Sequence, residues 1–341
     1  MKKTAVIALS ALMAVFFTAC AGDKGITAGA ASGESLVKLL PETTQAVMVI
    51  DVNRAMTTTA AAKSLEDPQA KRTYEEFVKS VGIDPMKDVF FVVMGLTGPM
   101  DAKEADTAAL VNLRYEKEPL LELIKENVAE FIEESYSGIT LYKGRAEGQT
   151  GKMACGAFLD GSNILVGTEA AVKAVIDVYQ KKSPSMAKNE DMGRALKPVN
   201  TSAIAWGAVS IPPGLLGQAI EENPMLKAME GITALNMSFD YKNRNLLVDV
   251  RTMGGTKEQN ENMASTLNGL KGLGAMMSAQ EPALGEALGR IEITSGADYV
   301  RLYATLPEEV LQMLQKTAQT RLGDMVQTGK EPSAEEKKEE K

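Results

Sequence analysis

Two acid–base pairs hold the side chains best placed to do chemistry. In "VMVIDVNRA" Asp51 ends a strand-like run and Arg54 follows three residues later. In "LLVDVRTMG" Asp249 and Arg251 lie two apart, which puts them on one face of a strand. Carboxylates so placed serve as general acids or bases, and a glycosidase needs two of them flanking a sugar cleft. Neither pair is accompanied by an aromatic platform, and an inward carboxylate is costly unless it is paired. The expectation is therefore that each Asp is solvated or held by its Arg, with no catalytic residue. Asp84 and Asp88 in "VGIDPMKDVFF" read as residues of a turn and a strand start, with Pro85 making the turn. "GTEAAV" lacks the glycine spacing and the lysine of a phosphate loop.

What is missing narrows the chemistry further. The sequence has no histidine, which removes the commonest general base and metal ligand and every Ser-His or Cys-His pair. Of two cysteines, Cys155 in "KMACGAFLDG" stands in an apolar strand and reads as a small buried hydrophobe. With its counterpart, Cys20, given to another task, neither a disulfide nor a CxxC zinc site can form, and no metal or cofactor is expected. The net charge is −8, about −10 once Lys2 and Lys3 are removed, with no basic block interleaved with aromatics. Nucleic acid is thus an unfavourable partner, and anionic lipid gains no electrostatic help.

Cys20 carries the clearest message. Lys2 and Lys3 precede an apolar run from Ala5 to Phe17, shorter than the ~20 residues that span a bilayer. Phe17, Thr18, Ala19 and Cys20 follow. This N-terminus resembles that of bacterial lipoproteins, whose lipobox runs aliphatic, small, Gly or Ala, then Cys; Phe17 stands where Leu is usual. The resemblance implies a signal peptide over residues 1–19, a diacylglyceryl group and an amide-linked chain such as palmitate on Cys20, and membrane attachment through that lipid. Each buried methylene contributes about 0.8 kcal/mol, so several chains anchor durably. Ala21 after the cysteine, where Asp would resemble an inner-membrane retention signal, implies the outer membrane, facing the periplasm. The alternative is cleavage after Ala21, at the small-x-small site of Ala19, Cys20 and Ala21, giving a soluble secreted protein.

The rest of the chain must hold a core, and 45% hydrophobic residues over 341 suffice for more than one unit. Residues 20–34 read as the lipidated cysteine and a flexible Gly/Ala/Ser tether, and 329–341 as a charged, disordered tail. Between them the sequence repeats. "LPETTQAVMVIDV", Leu40 to Val52, aligns without gaps with "KPVNTSAIAWGAV", Lys197 to Val209, matching Pro41 with Pro198 and Thr44 with Thr201. In both, a helical turn stops before proline and a buried strand follows. Each strand leads toward a helix, one around Ala60 to Val81 and one around Leu215 to Met229. "FLDGSNILVGTEAAVKAVIDVY" and "IEITSGADYVRLYATLPEEVLQML" both read as strand, turn, strand, helix, with Thr168 and Thr305 at the helix starts. In the second, Thr305 and Glu308 fit a capping box around Pro307.

The predicted fold is α+β: two tandem related units, 35–185 and 186–328, each an antiparallel or mixed sheet with helices packed on one face. The boundary is placed in the polar stretch from Lys181 to Met192. The proline-then-strand opening and Gly82 to Pro85 make the mature part resemble uncharacterised duplicated envelope proteins, a likeness that lends no activity. The expected function is non-enzymatic: a lipid-anchored envelope protein that binds another envelope protein or serves structure. A second reading comes from "LNGLKGLGAMMSAQ", whose glycines and adjacent Met276 and Met277 suit contact with an apolar ligand, making a carrier or chaperone for lipid or peptide. The third is a hydrolase using carboxylates.

Overall fold

The computed structural model describes residues 32–97, 105–146, 153–215, 217, 220, 227, 229–278 and 281–314. Cys20 with its lipobox, residues 20–31 of the expected tether and the tail lie outside them, as does most of the span from Leu215 to Met229; the tether's last residues are not flexible coil, since Ser32 caps a helix that begins at Gly33.

Twelve strands form one sheet. In chain order they are β1 (Thr44–Asp51), β2 (Val89–Thr97), β3 (Asp106–Leu113), β4 (Val128–Tyr136), β5 (Ile139–Ala146), β6 (Ala154–Phe158), β7 (Asn163–Gly167), β8 (Ala205–Ser210), β9 (Ile232–Lys242), β10 (Asn245–Gly254), β11 (Ile291–Ser295) and β12 (Tyr299–Pro307). Across the sheet they run β11-β12-β10-β9-β8-β1-β2-β3-β7-β6-β5-β4, and every named pair is antiparallel. Outward from the centre, β1-β2-β3-β7-β6 on one side matches β8-β9-β10-β12-β11 on the other. The β4–β5 hairpin is an addition to the first unit.

The repeats meet at their own first strands. β1 and β8 pair with Val49 opposite Trp206 and Val47 opposite Ala208. Val49 and Trp206 are also partners in the gapless alignment of the two repeats, so a local two-fold axis passes between them. Gly207 lies in this seam because a Cβ there would sit 2.3 Å from the Val47 carbonyl oxygen.

Side-chain alternation sorts the sheet into two faces. Val93 and its neighbour Val92 belong to different apolar clusters. On the front, Val47, Val49, Leu110, Leu165 and Trp206 are covered by α1 (Gly33–Val37), α7 (Glu169–Tyr179) and α8 (Glu190–Leu196). On the back, Val92 packs with Val52 and Met56 of α2 (Val52–Met56) and against α5 (Pro85–Asp88) through Met86. By the same registers, α9 (Lys257–Met277) covers the back of the second unit through Met263, Ala264 and Leu267. The α+β class is as expected, but the helices lie on both faces. A sheet with two apolar faces needs two covers, and the β-branched runs in β1 and β2 already carry apolar residues at consecutive positions.

Three local expectations change. The helix read over Ala60 to Val81 is two: α3 (Thr59–Ser64) and α4 (Pro68–Val81), broken where Asp67 caps the second with Pro68 in its first turn. Thr305 does not cap a helix; Thr305 and Pro307 continue β12, and the helical residues 308–314 begin with Glu308, whose carboxylate is used elsewhere. The polar stretch between the units is part of the core: Met186 donates its N–H to the Leu40 carbonyl (2.8 Å), and Met192 is wholly buried. Thr168 does cap α7, accepting from the Ala171 N–H.

Candidate functional site

Asp51 lies at the end of β1, where the seam opens into a hollow of about 240 Å³ lined by Gly33, Asp51, Arg54, Phe91, Thr201 and Trp206. The carboxylate caps α2 by accepting the Arg54 N–H at 2.9 Å. Burial raises its pKa, against the opposing bond and charge of Arg54. The Arg54 guanidinium reaches across the seam to the Ser202 carbonyl (2.9 Å) and to Asp240 (3.2 Å). Asp51 and Arg54 thus start a helix and join the units.

Asp249 and Arg251 do share a face of β10, and the structure adds Arg301 from β12. Asp249 accepts from Nε and Nη2 of Arg251 (3.1 and 2.9 Å) and from Nε and Nη2 of Arg301 (2.9 and 2.8 Å). Burial works to raise the Asp249 pKa, but the bonds from Arg301 and Arg251 outweigh it and hold the group ionised. The two arginines stand directly opposite one another, an arrangement that repels unless an anion sits between them. Arg301 also stacks on the Tyr303 ring, 4.6 Å from its centre. Beside Arg251 in register is Asn236, 3% exposed, whose amide nitrogen has no hydrogen-bond partner. Sequence spacing found Asp249 and Arg251 but not Arg301 or Asn236, since only strand pairing brings them in.

Glu308 is the most deeply buried acid among the described residues, 1% exposed. Lys63 of α3 pairs with it, Tyr241 donates at 2.7 Å, Arg244 at 3.2 Å and Thr59 at 3.2 Å. Burial alone would raise its pKa; these bonds overcome that and bring it to about 2. It fastens α3 of the first unit to the β9–β10 hairpin of the second.

Cys155 is buried, and burial pushes its thiol up to about 11, so it is not a nucleophile at neutral pH. Asp84 caps α5, accepting the Met86 N–H at 3.0 Å. Among the described residues no cluster of three or more Asp, Glu or Cys is arranged to hold a metal ion.

The Gly/Met segment forms the end of α9. Thr256 and Gln259 build a capping box at its start. The exposed side of its first turns is polar, from Lys257 to Thr266, and that of its last turns is not: Leu270, Leu273 and Met276 are exposed, Met276 at 77%. Leu284 of α10 (Pro282–Gly289) is exposed as well. A Cβ on Gly269 or Gly272 would meet nothing within 4 Å, whereas one on Gly274 would lie 3.1 Å from Leu288. Only the third glycine serves close packing. The Met277 side chain falls outside the description. No described helix is long and apolar enough to cross a membrane.

Three crystal forms of TP0453 from Treponema are similar to about four-fifths of this chain. Form III has a TM-score of 0.45 at 9% identity and covers 81% of this chain and 95% of its own. Form I has 0.42 at 10% identity, covering 82% and 96%. No curated protein matches. The family model described as "Protein of unknown function (DUF3352)" matches residues 115–291, just over half of the sequence and spanning from the end of β3 to the start of β11. The chain therefore belongs to the DUF3352 family.

Proposed function

We propose that this is a lipid-anchored protein of the cell envelope, held through Cys20 at the outer membrane on its periplasmic side. In this reading its body acts without catalysis, as a binding module for another envelope protein. The observation that carries the binding role is the apolar surface of Leu270, Leu273 and Met276, at successive turns of one helix side. Large apolar side chains exposed together mark interaction surfaces. A protein partner suits this surface better than an anionic bilayer, because the neighbouring cations are engaged: Lys271 bonds the Ile291 carbonyl (2.9 Å) and Arg290 pairs with Glu286. The carrier reading draws on the same residues, but the ligand would lie on open surface, since the hollows of about 240 and 280 Å³ are lined by other residues. A hydrolase has the least support, as Asp51 and Asp249 are both occupied by arginine.

The test is a photo-crosslinking residue at position 273 of the full chain in intact cells, with a control at 265 on the polar part of the same helix. A discrete protein adduct at 273 alone supports the reading. Equal adducts at both positions, or lipid adducts only, overturn it. The anchor is checked separately by fatty-acid labelling, which Cys20→Ser should abolish.

A further inference from the structure

The local two-fold axis allows the units to be compared residue by residue on the front of the sheet. Following registered pairs outward, the first unit reads Val49, Val93, Leu110, Leu165, Ala157. The second reads Trp206, Ser238, Asp249, Tyr303, Glu292. One rung along, Phe91, Asn112 and Asn163 correspond to Asn236, Arg251 and Arg301. In the first unit Asn112 donates to Asn163 at 2.9 Å, and the polar pair closes on itself. In the second it does not close. Two guanidiniums share one carboxylate, with no second carboxylate in ion-pair distance of either among the described residues, and the Asn236 amide beside them lacks an acceptor.

The donors left over define what is missing. Each guanidinium spends its Nε–Nη2 edge on Asp249, which leaves its Nη1 side for a second acceptor. Arg251 and Arg301 are about a third exposed or less, so an incoming group is partly shielded from water. A dianion would be repelled by Asp249, whereas a single negative charge with several oxygens neutralises the cluster. We infer that the front of the second unit is a binding site for a phosphodiester, with Arg251, Arg301 and Asn236 as donors, Asp249 as the group that positions both guanidiniums and limits the charge accepted, and Tyr303 as the support beneath Arg301. An orphan buried donor is costly in the empty protein and is relieved when an acceptor arrives.

The experiment is calorimetric titration of the mature full chain with glycerophosphoglycerol, a soluble phosphodiester, and with inorganic phosphate; co-sedimentation with phosphatidylglycerol vesicles, using the Cys20→Ser protein, forms the third arm. Binding of the diester, alone or within the vesicle, that falls about ten- to a hundred-fold in Arg301→Gln supports the site and identifies its source. Asn236→Ala guards against a folding artefact: it should weaken binding while leaving thermal stability unchanged or raised, because it deletes an unpaired buried group. Binding that Arg301→Gln and Asn236→Ala leave unaltered, a preference for inorganic phosphate, or no binding in any arm overturns the inference. The crosslinking at position 273 reports on the opposite face and is independent of all three outcomes.

Discussion

The two units of this protein have the same strand order around their shared seam and opposite chemistry on the same face. In the first, Val93, Leu110 and Leu165 are completely or almost completely buried beneath Val172, Val175 and Ile176 of α7. In the second, the corresponding Ser238, Asp249 and Tyr303 form a polar rung, whose one charge, Asp249, is held by Arg251 and Arg301 of the next rung. The backbone pairing, which depends on alternation and register, is thus the same in both units, while the side chains on this face differ. A face that need not bury apolar area is free to bind.

The sharpest way to break this contrast is to put the second unit's residue into the first. Leu110→Asp places an unpaired carboxylate where no guanidinium can reach, and is expected to cost about 3–5 kcal/mol or more in urea denaturation. The reverse exchange, Asp249→Leu with Arg251→Asn and Arg301→Asn, should remain within about 1 kcal/mol of wild type, since an ionic triad replaced as a whole is close to neutral. An equal loss in both would mean that the charged rung is structural and would remove the contrast.

Next in size is the fastening between the units. Glu308 has its pKa lowered from 4.5 to about 2. A lowered carboxylate pKa stabilises the fold above the unfolded value and loses that contribution as pH falls, here from about 4.5 toward 2. Glu308→Gln should reduce stability at pH 7 by about 3 kcal/mol and flatten its decline between pH 4.5 and 2, as measured by urea titration across that range. At the seam itself, Gly207→Ala forces a Cβ against the Val47 carbonyl and should cost about 2 kcal/mol by thermal unfolding.

Smaller effects separate the helices. Thr168→Ala and Thr256→Ala each remove one cap, of α7 and α9, and each should cost about 1 kcal/mol. Leu270→Gln lies on the same open surface and should change stability by less than about 0.5 kcal/mol while reducing the adduct formed from position 273.

Much of this architecture is legible in the sequence, for identifiable reasons. Proline before a strand, glycine or asparagine in a hairpin and threonine at a helix start are local signals, and Pro41, Gly161 and Thr168 act as local chemistry dictates. The repeat is visible because Pro198 and Thr201 recur at matching positions. Thr305 misleads because its β12 pairing with Leu247 outweighs a local capping pattern, and Glu308 gains four partners from distant segments. The seam could not be read because it depends on which edge of each unit is left bare. Arg301 was invisible as a site residue for the same reason: it lies 52 residues from Asp249 and meets it only through register. Met276 stands out in the sequence by its type and its glycine neighbours, but its 77% exposure is set by how α9 sits on the sheet.

The pairing of β1 with β8 has a consequence for synthesis. More than 150 residues separate these strands, so a chain emerging from the ribosome completes its first half well before the cover for β1 exists. During that interval the bare edge is self-complementary: the axis that relates Val49 to Trp206 would equally relate Val49 to itself in a second nascent copy. Once β8 of the same chain arrives and pairs with β1, that edge is covered and the pairing of two copies is closed off.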